Sequence, residues 1–220
     1  MTLEEIKAAR SEAWRDELRK KMSPKDRGAI ERVKMPELTP EYRVKTFTEE
    51  VQQGLTKEMA MTEAQRCLDC ADPSCMKGCP VGINIPTFIK HIEKGEFQDA
   101  IQTIKKTSSL PAVCGRVCPQ EKQCEGQCIK LKMNQKAVAI GYLERFAADY
   151  ERESGKMQAP ACAAKNGKKV CVVGSGPSGL AFAADMIKLG YDVTVYEALH
   201  EIGGVLKYGI PEFRLPNNVV

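Results

Sequence analysis

Eight of the ten cysteines in this 220-residue sequence fall into two short blocks. The first block has the spacing C-x2-C-x4-C-x3-C, and its members are Cys67, Cys70, Cys75 and Cys79. The second block has the spacing C-x3-C-x5-C-x3-C, and its members are Cys114, Cys118, Cys124 and Cys128. Clustered thiolates at such spacings are ligands of zinc or of iron–sulfur clusters. The two blocks therefore predict a metal-binding protein.

Four states of these thiols are possible. Disulfides need an oxidising compartment, and the acidic amino terminus does not have the form of a signal or transit peptide. Cysteines that only fill a hydrophobic core are not expected as eight residues at such short spacings. Structural zinc fits four thiolates. We favour iron–sulfur clusters, because each block contains a Cys-Pro pair and the first block resembles the ferredoxin run, in which the cysteine before proline ligates the other cluster.

We therefore expect two [4Fe-4S] clusters that exchange one ligand between the blocks. The expected ligands of the first cluster are Cys67, Cys70, Cys75 and Cys128. The expected ligands of the second cluster include Cys79, Cys118 and Cys124. On spacing alone, Cys114 is the candidate for its fourth ligand.

Glu144 complicates the choice of that fourth ligand. It lies in or beside the apolar stripe of a predicted helix, four residues after Ile140 and three before Ala147. Burying an unpaired carboxylate costs several kcal/mol. Glu144 is therefore either a rim residue paired with Arg145 or a lysine, or a ligand.

A dinucleotide-binding fingerprint follows the cysteine blocks. The motif G-S-G-P-S-G over residues 174–179 lies between a β-branched strand signal at 169–174 and a helical run closed by Gly190. Gly174 permits the tight turn, Gly176 the approach of a pyrophosphate, and Gly179 close packing of helix against strand. Glu197 follows the second strand, where an acid binds the ribose hydroxyls.

The chain has few residues after this fingerprint. Only 23 residues follow Glu197, and a two-stranded parallel sheet is marginally stable alone. We expect the chain to be a fragment whose last segment binds a flavin poorly. Cys162 is expected to be a linker thiol and Cys171 a buried strand residue, and neither is expected to bind iron.

The remaining sequence predicts helices that position the cysteines. The predicted helices are a run from Leu3 to Leu18 that stops at Pro24, one from Thr39 to Gly54 with Val44, Phe47 and Val51 on one face, and others at 56–66, 85–95, 97–104 and 136–150. The predicted domains are 1–150 (helical, two clusters), 151–168 (a linker rich in Ser, Gly, Lys, Ala and Pro) and 169–220 (the first βαβ part of a Rossmann-like domain).

Composition excludes several classes of function. A hydrophobic fraction of 43% and a charged fraction of 28% are those of a folded protein, and the net charge of +4 is not concentrated in any basic block. We therefore expect no nucleic-acid partner. No apolar run approaches the roughly 18 residues that span a bilayer. We expect no membrane partner and a cytoplasmic location.

Several motifs resemble those of the NADPH-dependent glutamate synthase small (beta) subunit family. They are R-C-L-D-C at 66–70, C-P-V-G-I-N-I-P at 79–86, G-R-V-C-P at 115–119, C-E-G-Q-C at 124–128, the glycine motif with Leu180, G-G at 203–204 and I-P-E-F-R-L-P at 210–216. The same module occurs in dihydropyrimidine dehydrogenase and in the large subunit of the NADH-dependent ferredoxin:NADP oxidoreductase.

The resemblance implies an all-α amino-terminal iron–sulfur domain followed by the start of an α/β Rossmann-like FAD domain. It implies that Glu144 ligates the second cluster and leaves Cys114 free. It also implies FAD contacts at residues 174–178 (including Ser175, Pro177 and Ser178), Glu197, Gly204 and Arg214.

The implied function is that of an oxidoreductase subunit. Electrons pass from NADPH, in the full-length protein, through FAD and two [4Fe-4S] clusters to a large (alpha) subunit or an equivalent acceptor, for glutamate synthesis from glutamine and 2-oxoglutarate. No catalytic acid, base or nucleophile is expected in this chain. The alternatives are a pyrimidine- or ferredoxin-linked oxidoreductase and a non-catalytic docking domain stabilised by zinc or clusters.

Overall fold

The computed structural model describes residues 3–220, with the side chain of Leu3 left out. The amino-terminal part contains four helices, which are α1 Leu3–Arg10, α2 Ala13–Lys21, α3 Pro24–Ala29 and α4 Pro40–Arg43. The helices around the cysteines are α5 Lys57–Gln65, α6 Ser74–Lys77, α7 Ile85–Lys94, α8 Phe97–Lys105, α9 Pro111–Val117, α10 Ile129–Lys132 and α11 Ile140–Ser154. Two 3₁₀ turns, Gln120–Lys122 and Glu125–Gln127, lie within the second block.

The carboxy-terminal part is a small α/β unit. It consists of β1 Lys169–Val173, α12 Pro177–Lys188, β2 Asp192–Tyr196 and α13 Val205–Tyr208. The two strands pair in parallel, with Lys169 opposite Asp192, as the fingerprint predicts. None of the helices in residues 3–220 has the length and apolar character needed to cross a bilayer.

The main core lies between α5, α7, α8 and α11. Their buried faces supply the alanines of α5, the isoleucines of α7 and α8, and the aromatic residues Phe88, Phe97 and Phe146. The edge of Phe97 packs on Phe146, with ring centroids 5.0 Å apart. The predicted helices at 85–95 and 97–104 are confirmed, and Gly95 ends α7 in the left-handed conformation (φ 87°) that suits glycine.

A second, smaller core joins α9 to the carboxy-terminal part. Val113 of α9 packs with Leu206 and Leu215, and Leu110 and Leu180 border this cluster. The second cysteine block is therefore attached directly to the α/β unit.

The prediction of one helix from Thr39 to Gly54 is wrong. Only α4 forms there, and Phe47 is 74% exposed. The chain beyond α4 turns back so that the Leu38 amide donates to the Val51 carbonyl, and the Val51 amide donates to the Phe213 carbonyl (2.9 Å each). These tertiary hydrogen bonds replace those that a helix would have formed.

Two other helix boundaries differ from the prediction. The amino-terminal run breaks at Ser11 and Glu12 into α1 and α2, and Pro24 begins α3 rather than only ending α2. The last helix begins at Ile140 and not at 136.

Buried charged residues explain why α11 begins later than predicted. Residues 136–139 are not helical because Arg66 donates to the Lys136 and Ala137 carbonyls (2.6 and 2.8 Å), while the Glu63 carboxylate accepts from the Ala139 amide (2.8 Å). Glu63 and Arg66 also pair with each other and are almost completely buried. At its other end, α11 extends through Ser154 into the predicted linker.

Cys171 is exposed, contrary to the prediction of a buried strand residue. Its strand has one neighbour, and Val173 beside it is 87% exposed. Cys162 is exposed in the predicted linker.

Helices α9 and α11 touch backbone to backbone at one residue. A Cβ atom added to Gly115 would lie 2.5 Å from the Arg145 amide nitrogen and 2.7 Å from its Cα. No side-chain rotation relieves such an overlap, so the helices must separate to accept any larger residue. We therefore expect Gly115→Ala to destabilise the fold by about 1–3 kcal/mol.

Urea unfolding followed by circular dichroism under anaerobic conditions measures this effect. Gly28→Ala in α3 is the matched control, because its Cβ would meet only the flexible end of the Gln135 side chain, at 3.0 Å. An unchanged midpoint for Gly115→Ala would contradict the close packing of α9 on α11.

Candidate metal centres and nucleotide loop

The four thiols expected to share the first cluster line one cavity. This cavity is otherwise bordered mainly by apolar side chains such as Ile85, Ile89 and Ile140. Its thiols are those of Cys67, Cys70, Cys75 and Cys128. We call this group the first thiol site. The structure thus places the last cysteine of the second block among three cysteines of the first.

The amino-terminal helices hold the loop between Cys67 and Cys70. Asp69 in this loop is completely buried and has a left-handed backbone (φ 53°), a conformation that aspartate tolerates better than most residues. Its carboxylate accepts hydrogen bonds from Arg15 and Arg19, and its carbonyl accepts one from Arg10 (2.8 Å). The three arginines therefore fix the turn that presents the first two thiols.

A buried lysine lies beside the same loop. Lys90 is completely buried, and its Nζ donates to the Cys67 carbonyl (2.8 Å) and to Glu93 (2.5 Å). Arg27 holds the other side of Glu93 with hydrogen bonds of 2.8 and 3.0 Å. Burial raises the pKa of the Cys67 thiol to about 11, and the Lys90 ammonium opposes this rise.

The expected members of the second cluster also lie together. Electrostatic interactions connect Cys118 with Glu144, Cys124 and Cys79. Cys124 in turn interacts with Glu144 and Cys79, and burial followed by nearby negative charges raises its pKa to about 12. We call Cys79, Cys118, Cys124 and Glu144 the second thiol site.

A glycine lets the two cysteine blocks meet. A Cβ atom on Gly78 would lie 2.6 Å from the carbonyl oxygen of Gln123. Gly78 immediately precedes Cys79, and Gln123 immediately precedes Cys124. The contact between the two backbones therefore brings one thiol of each block to the same place.

The two sites are neighbours. Burial above all raises the pKa of Cys75, and the charges that add to this effect come from Cys67, Cys128 and Cys70 of the first site and from Cys124 of the second. One thiol of each site is therefore within electrostatic reach of the other site.

Glu144 is a buried carboxyl group without an ion-pair partner in the described residues. It is 6% exposed, and its Oε1 atom has no hydrogen-bond partner. Burial above all, and then the Cys114 thiol, raises its pKa well above the ordinary value. The expectation that it is a rim residue paired with Arg145 is wrong, because Arg145 binds Glu50 and Asp149.

Cys114 lies beside this site on α9. The Cys118 amide donates to the Cys114 carbonyl (3.1 Å), so the two residues are one helical turn apart. Interaction between the two thiols lowers the pKa of Cys118 and raises that of Cys114. The structure therefore places both candidates for the fourth ligand, Cys114 and Glu144, next to Cys118.

The spacing of the thiols does not suit a single metal ion. Four sulfur ligands around tetrahedral zinc, with bonds of about 2.3 Å, lie about 3.8 Å from one another. Within residues 3–220, only His91, Glu96 and Asp99 bring three candidate ligand atoms within 4.8 Å of one another. This group contains no cysteine. The cysteines are thus not gathered around one ion in the described residues. Thiols in an apolar lining, with the unpartnered Glu144 oxygen as a further donor, fit iron–sulfur ligation.

The glycine motif forms the predicted turn between β1 and α12. Gly174 has a left-handed backbone (φ 95°), and space is open where a Cβ of Gly176 would lie. A Cβ on Gly179 would overlap the Gly174 carbonyl, so this glycine permits the close packing of helix on loop. Gly204 lies directly over Gly176. Pro177 and Ser178 form the first turn of α12.

Glu197 is hydrogen-bonded to this loop. Its carboxylate accepts from the Ser175 amide (2.9 Å), the Ser175 hydroxyl (2.5 Å) and the Leu199 amide (2.9 Å). These bonds, the Ser175 hydroxyl first, lower the pKa of Glu197 to about 2. Arg214 lines a separate cavity with Arg43, Glu50 and Arg116 that none of the loop glycines borders.

Sequence reasoning did not identify Asp69 and Lys90 as parts of the site. The four-residue spacing of Arg15 and Arg19 places them on one face of α2, which is a signal for a shared partner. The distance of more than fifty residues to Asp69 hides that partner in the sequence. Nothing in the spacing around Lys90 distinguishes it from a surface lysine.

Two family models match the chain. Residues 43–156 match the family model described as dihydropyrimidine dehydrogenase domain II, 4Fe-4S cluster. Residues 172–215 match an NAD(P)-binding Rossmann-like domain.

The individual relatives include subunits of different enzymes. The chain is 35% identical over 187 residues to the glutamate synthase [NADPH] small chain of Azospirillum brasilense, which is 85% of this chain and 39% of that protein. It is 40% identical over 174 residues to the NAD-dependent dihydropyrimidine dehydrogenase subunit PreT homolog of Salmonella typhi, or 79% of this chain and 42% of that protein. A putative oxidoreductase, UacF, of Escherichia coli is 39% identical over 80% of the chain and 28% of its own length.

The chain thus spans about two fifths of the length of the first two relatives. The cluster-domain match covers more than half of the chain and contains both thiol sites. The chain belongs to the family described as dihydropyrimidine dehydrogenase domain II, 4Fe-4S cluster, and it is homologous to glutamate synthase [NADPH] small chains.

Proposed function

We propose that this chain is the electron-relay part of a flavin-dependent oxidoreductase subunit. In the whole protein, NADPH is the electron donor, FAD accepts its hydride, and two [4Fe-4S] clusters carry single electrons to a partner subunit. The observation that carries the proposal is the exchange of thiols between the two blocks, because each site contains one cysteine from the other block.

The proposed ligands follow from the two groups of neighbouring donors. Those of the first cluster are Cys67, Cys70, Cys75 and Cys128, and those of the second are Cys79, Cys118, Cys124 and Glu144. Iron–sulfur clusters supply one-electron chemistry when bound. The residues of the chain bind, separate and shield them, and they supply no acid, base or nucleophile.

Burial of the ligands is the main contribution of the fold. Cys67, Cys75 and Cys124 have raised pKa values because the interior disfavours their charged form. Metal binding must therefore displace protons that the empty site retains, and the apolar walls then keep water from the sulfur atoms.

The order of the proposed relay follows from the two faces of α9. Cys118, at the carboxy-terminal end of this helix, belongs to the second site. Val113, within the helix, packs on Leu206 and Leu215 of the α/β unit. The second site is therefore the proposed entry point from the flavin, and the first site, next to the amino-terminal helices, leads to the partner.

The nucleotide loop is proposed to hold FAD. The open space at Gly176 and the amides at the start of α12 suit a pyrophosphate. Glu197 is proposed to exchange its hydrogen bond with Ser175 for the ribose hydroxyls. Gly204 borders the same space, and the role of Arg214 rests on the family resemblance.

The proposed reaction of the whole enzyme is glutamate synthesis from glutamine and 2-oxoglutarate, with a large subunit as the partner. The second candidate is a pyrimidine-reducing enzyme, which the 40% identity to a PreT homolog favours. Combining the full-length protein with each type of large subunit and measuring glutamate or dihydropyrimidine formation separates the two.

The relay itself is tested on this chain. Anaerobic titration of the purified chain with dithionite, followed by visible absorbance and EPR, is expected to show stepwise bleaching as two centres each take up one electron. A protein that takes up no electrons would contradict the relay and favour a docking domain.

The thiol exchange predicts opposite effects for two cysteine substitutions. We expect Cys79→Ala to remove the EPR signal of the second cluster and to keep that of the first, because Cys79 interacts with Cys118 and Cys124. Cys128→Ala should do the reverse, because Cys128 lies in the first cavity. Cys171→Ala, at an exposed thiol, is the control and should retain both signals. Equal loss of both signals in both variants would refute the exchange.

We expect replacement of Glu144 to change the reduction potential of the second cluster only. Glu144→Gln keeps the shape of the side chain and removes its charge, so reduction of the second cluster becomes more favourable by about 1–4 kcal/mol, the energy of a unit charge about 4 Å away. EPR-monitored redox titration, with Cys114→Ala present in every sample so that the thiolate of Cys114 cannot replace the lost charge, should show this potential rising while that of the first cluster stays constant.

The matched control for this titration is Glu121→Gln, which alters an exposed acid in the same region. Identical potentials in the Glu144→Gln variant and its Cys114→Ala parent would remove Glu144 from the second site.

A further inference from the structure

We propose that Cys114 is a reserve ligand of the second thiol site, which binds iron when Glu144 cannot. The proposal rests on the proposed function, because it assumes that the second site holds a cluster. It concerns a residue that the ligand assignment above leaves without a role.

The packing of α9 on α11 places the two side chains together. The Gly115 backbone closely approaches the Arg145 backbone, and Cys114 and Glu144 are the chain neighbours of these two residues. The Cys114 thiol and the Glu144 carboxyl group interact electrostatically. Both groups therefore approach the second site from adjacent positions on two rigidly packed helices.

The Glu144 carboxyl group itself indicates that this position holds a ligand. The residue is only 6% exposed, and its Oε1 atom has no hydrogen-bond partner in the described residues. A polar atom left in this state is costly unless a further group binds it. The Cys114 thiol lies at the edge of the same space.

The helix keeps Cys114 close to another donor. The Cys118 amide donates to the Cys114 carbonyl (3.1 Å), so Cys114 lies one helical turn before this proposed ligand. Ligation by Cys114 would form one iron–sulfur bond in place of the iron–oxygen bond, and the thiol proton would pass to the released Glu144 carboxylate or, where that residue is replaced, to solvent. No oxidant or reductant is needed for this exchange, and the second site would then have four cysteines, a common set for such clusters.

The test compares four variants of the whole chain: Glu144→Ala, Cys114→Ala, the double variant, and Cys118→Ala as the reference for loss of the second cluster. Iron, acid-labile sulfide and EPR spectra are measured after anaerobic purification. The EPR signal of the first cluster reports in every sample whether the helical domain has folded.

We expect Glu144→Ala to keep the iron and sulfide content of the wild type, with an altered EPR signal for the second cluster because sulfur replaces oxygen. Cys114→Ala should also keep both clusters, with Glu144 as the ligand. The double variant should lose half of the iron and sulfide, as Cys118→Ala does, and retain the first signal.

Three results would overturn the reserve role. Loss of the second signal in Glu144→Ala would mean that Cys114 cannot replace the carboxylate. Retention of this signal in the double variant would mean that another donor serves. Loss of the second cluster in Cys114→Ala alone would make Cys114 the ordinary ligand. A wild-type chain without iron and sulfide would instead contradict the proposed function, so the two failures are distinguishable.

Discussion

The structure depends on the burial of thiols from two separate loops in one apolar interior. Burial raises the pKa of Cys67, Cys75 and Cys124, so the protein alone does not favour these residues as thiolates. Cationic iron can supply the missing charge, and it can do so only if both loops arrive at the same place. The contact between the Gly78 and Gln123 backbones satisfies this requirement.

The helices serve this constraint through buried ion pairs. Arg15 holds Asp69 in the first loop, and Glu63 with Arg66 holds residues 136–139 in front of α11. Removing one partner of such a pair leaves an uncompensated buried charge, which costs about 3–5 kcal/mol. The charge pairs therefore determine the loop conformations, while the apolar faces of α7, α8 and α11 supply the bulk of the core.

Much of this architecture could be predicted from the sequence because its signals are local. The apolar spacing and the capping glycine predicted α7, and the β-branched run with its glycine motif predicted β1 and α12. The pairing of Cys128 with the first block and of Cys79 with the second was predicted from the analogy of a ferredoxin run. The structure places these residues together, although their ligation of iron remains a proposal.

The errors occur where distant residues determine the local structure. The helix predicted up to Gly54 does not form, because the Val51 amide binds a carbonyl more than 160 residues away. The pairing of Glu144 with Arg145 was a reasonable local expectation, but Glu50 and Asp149 occupy the arginine. Cys171 is exposed because its strand has one neighbour. Periodicity contains no information on these contacts.

The central claim is that the two thiol sites hold iron–sulfur clusters and not single ions. The most direct measurement is the content of iron, acid-labile sulfide and zinc in the chain purified without oxygen. The account predicts iron and sulfide in equal amounts, sufficient for two four-iron clusters, with negligible zinc. Zinc bound to the cysteines without sulfide would contradict it.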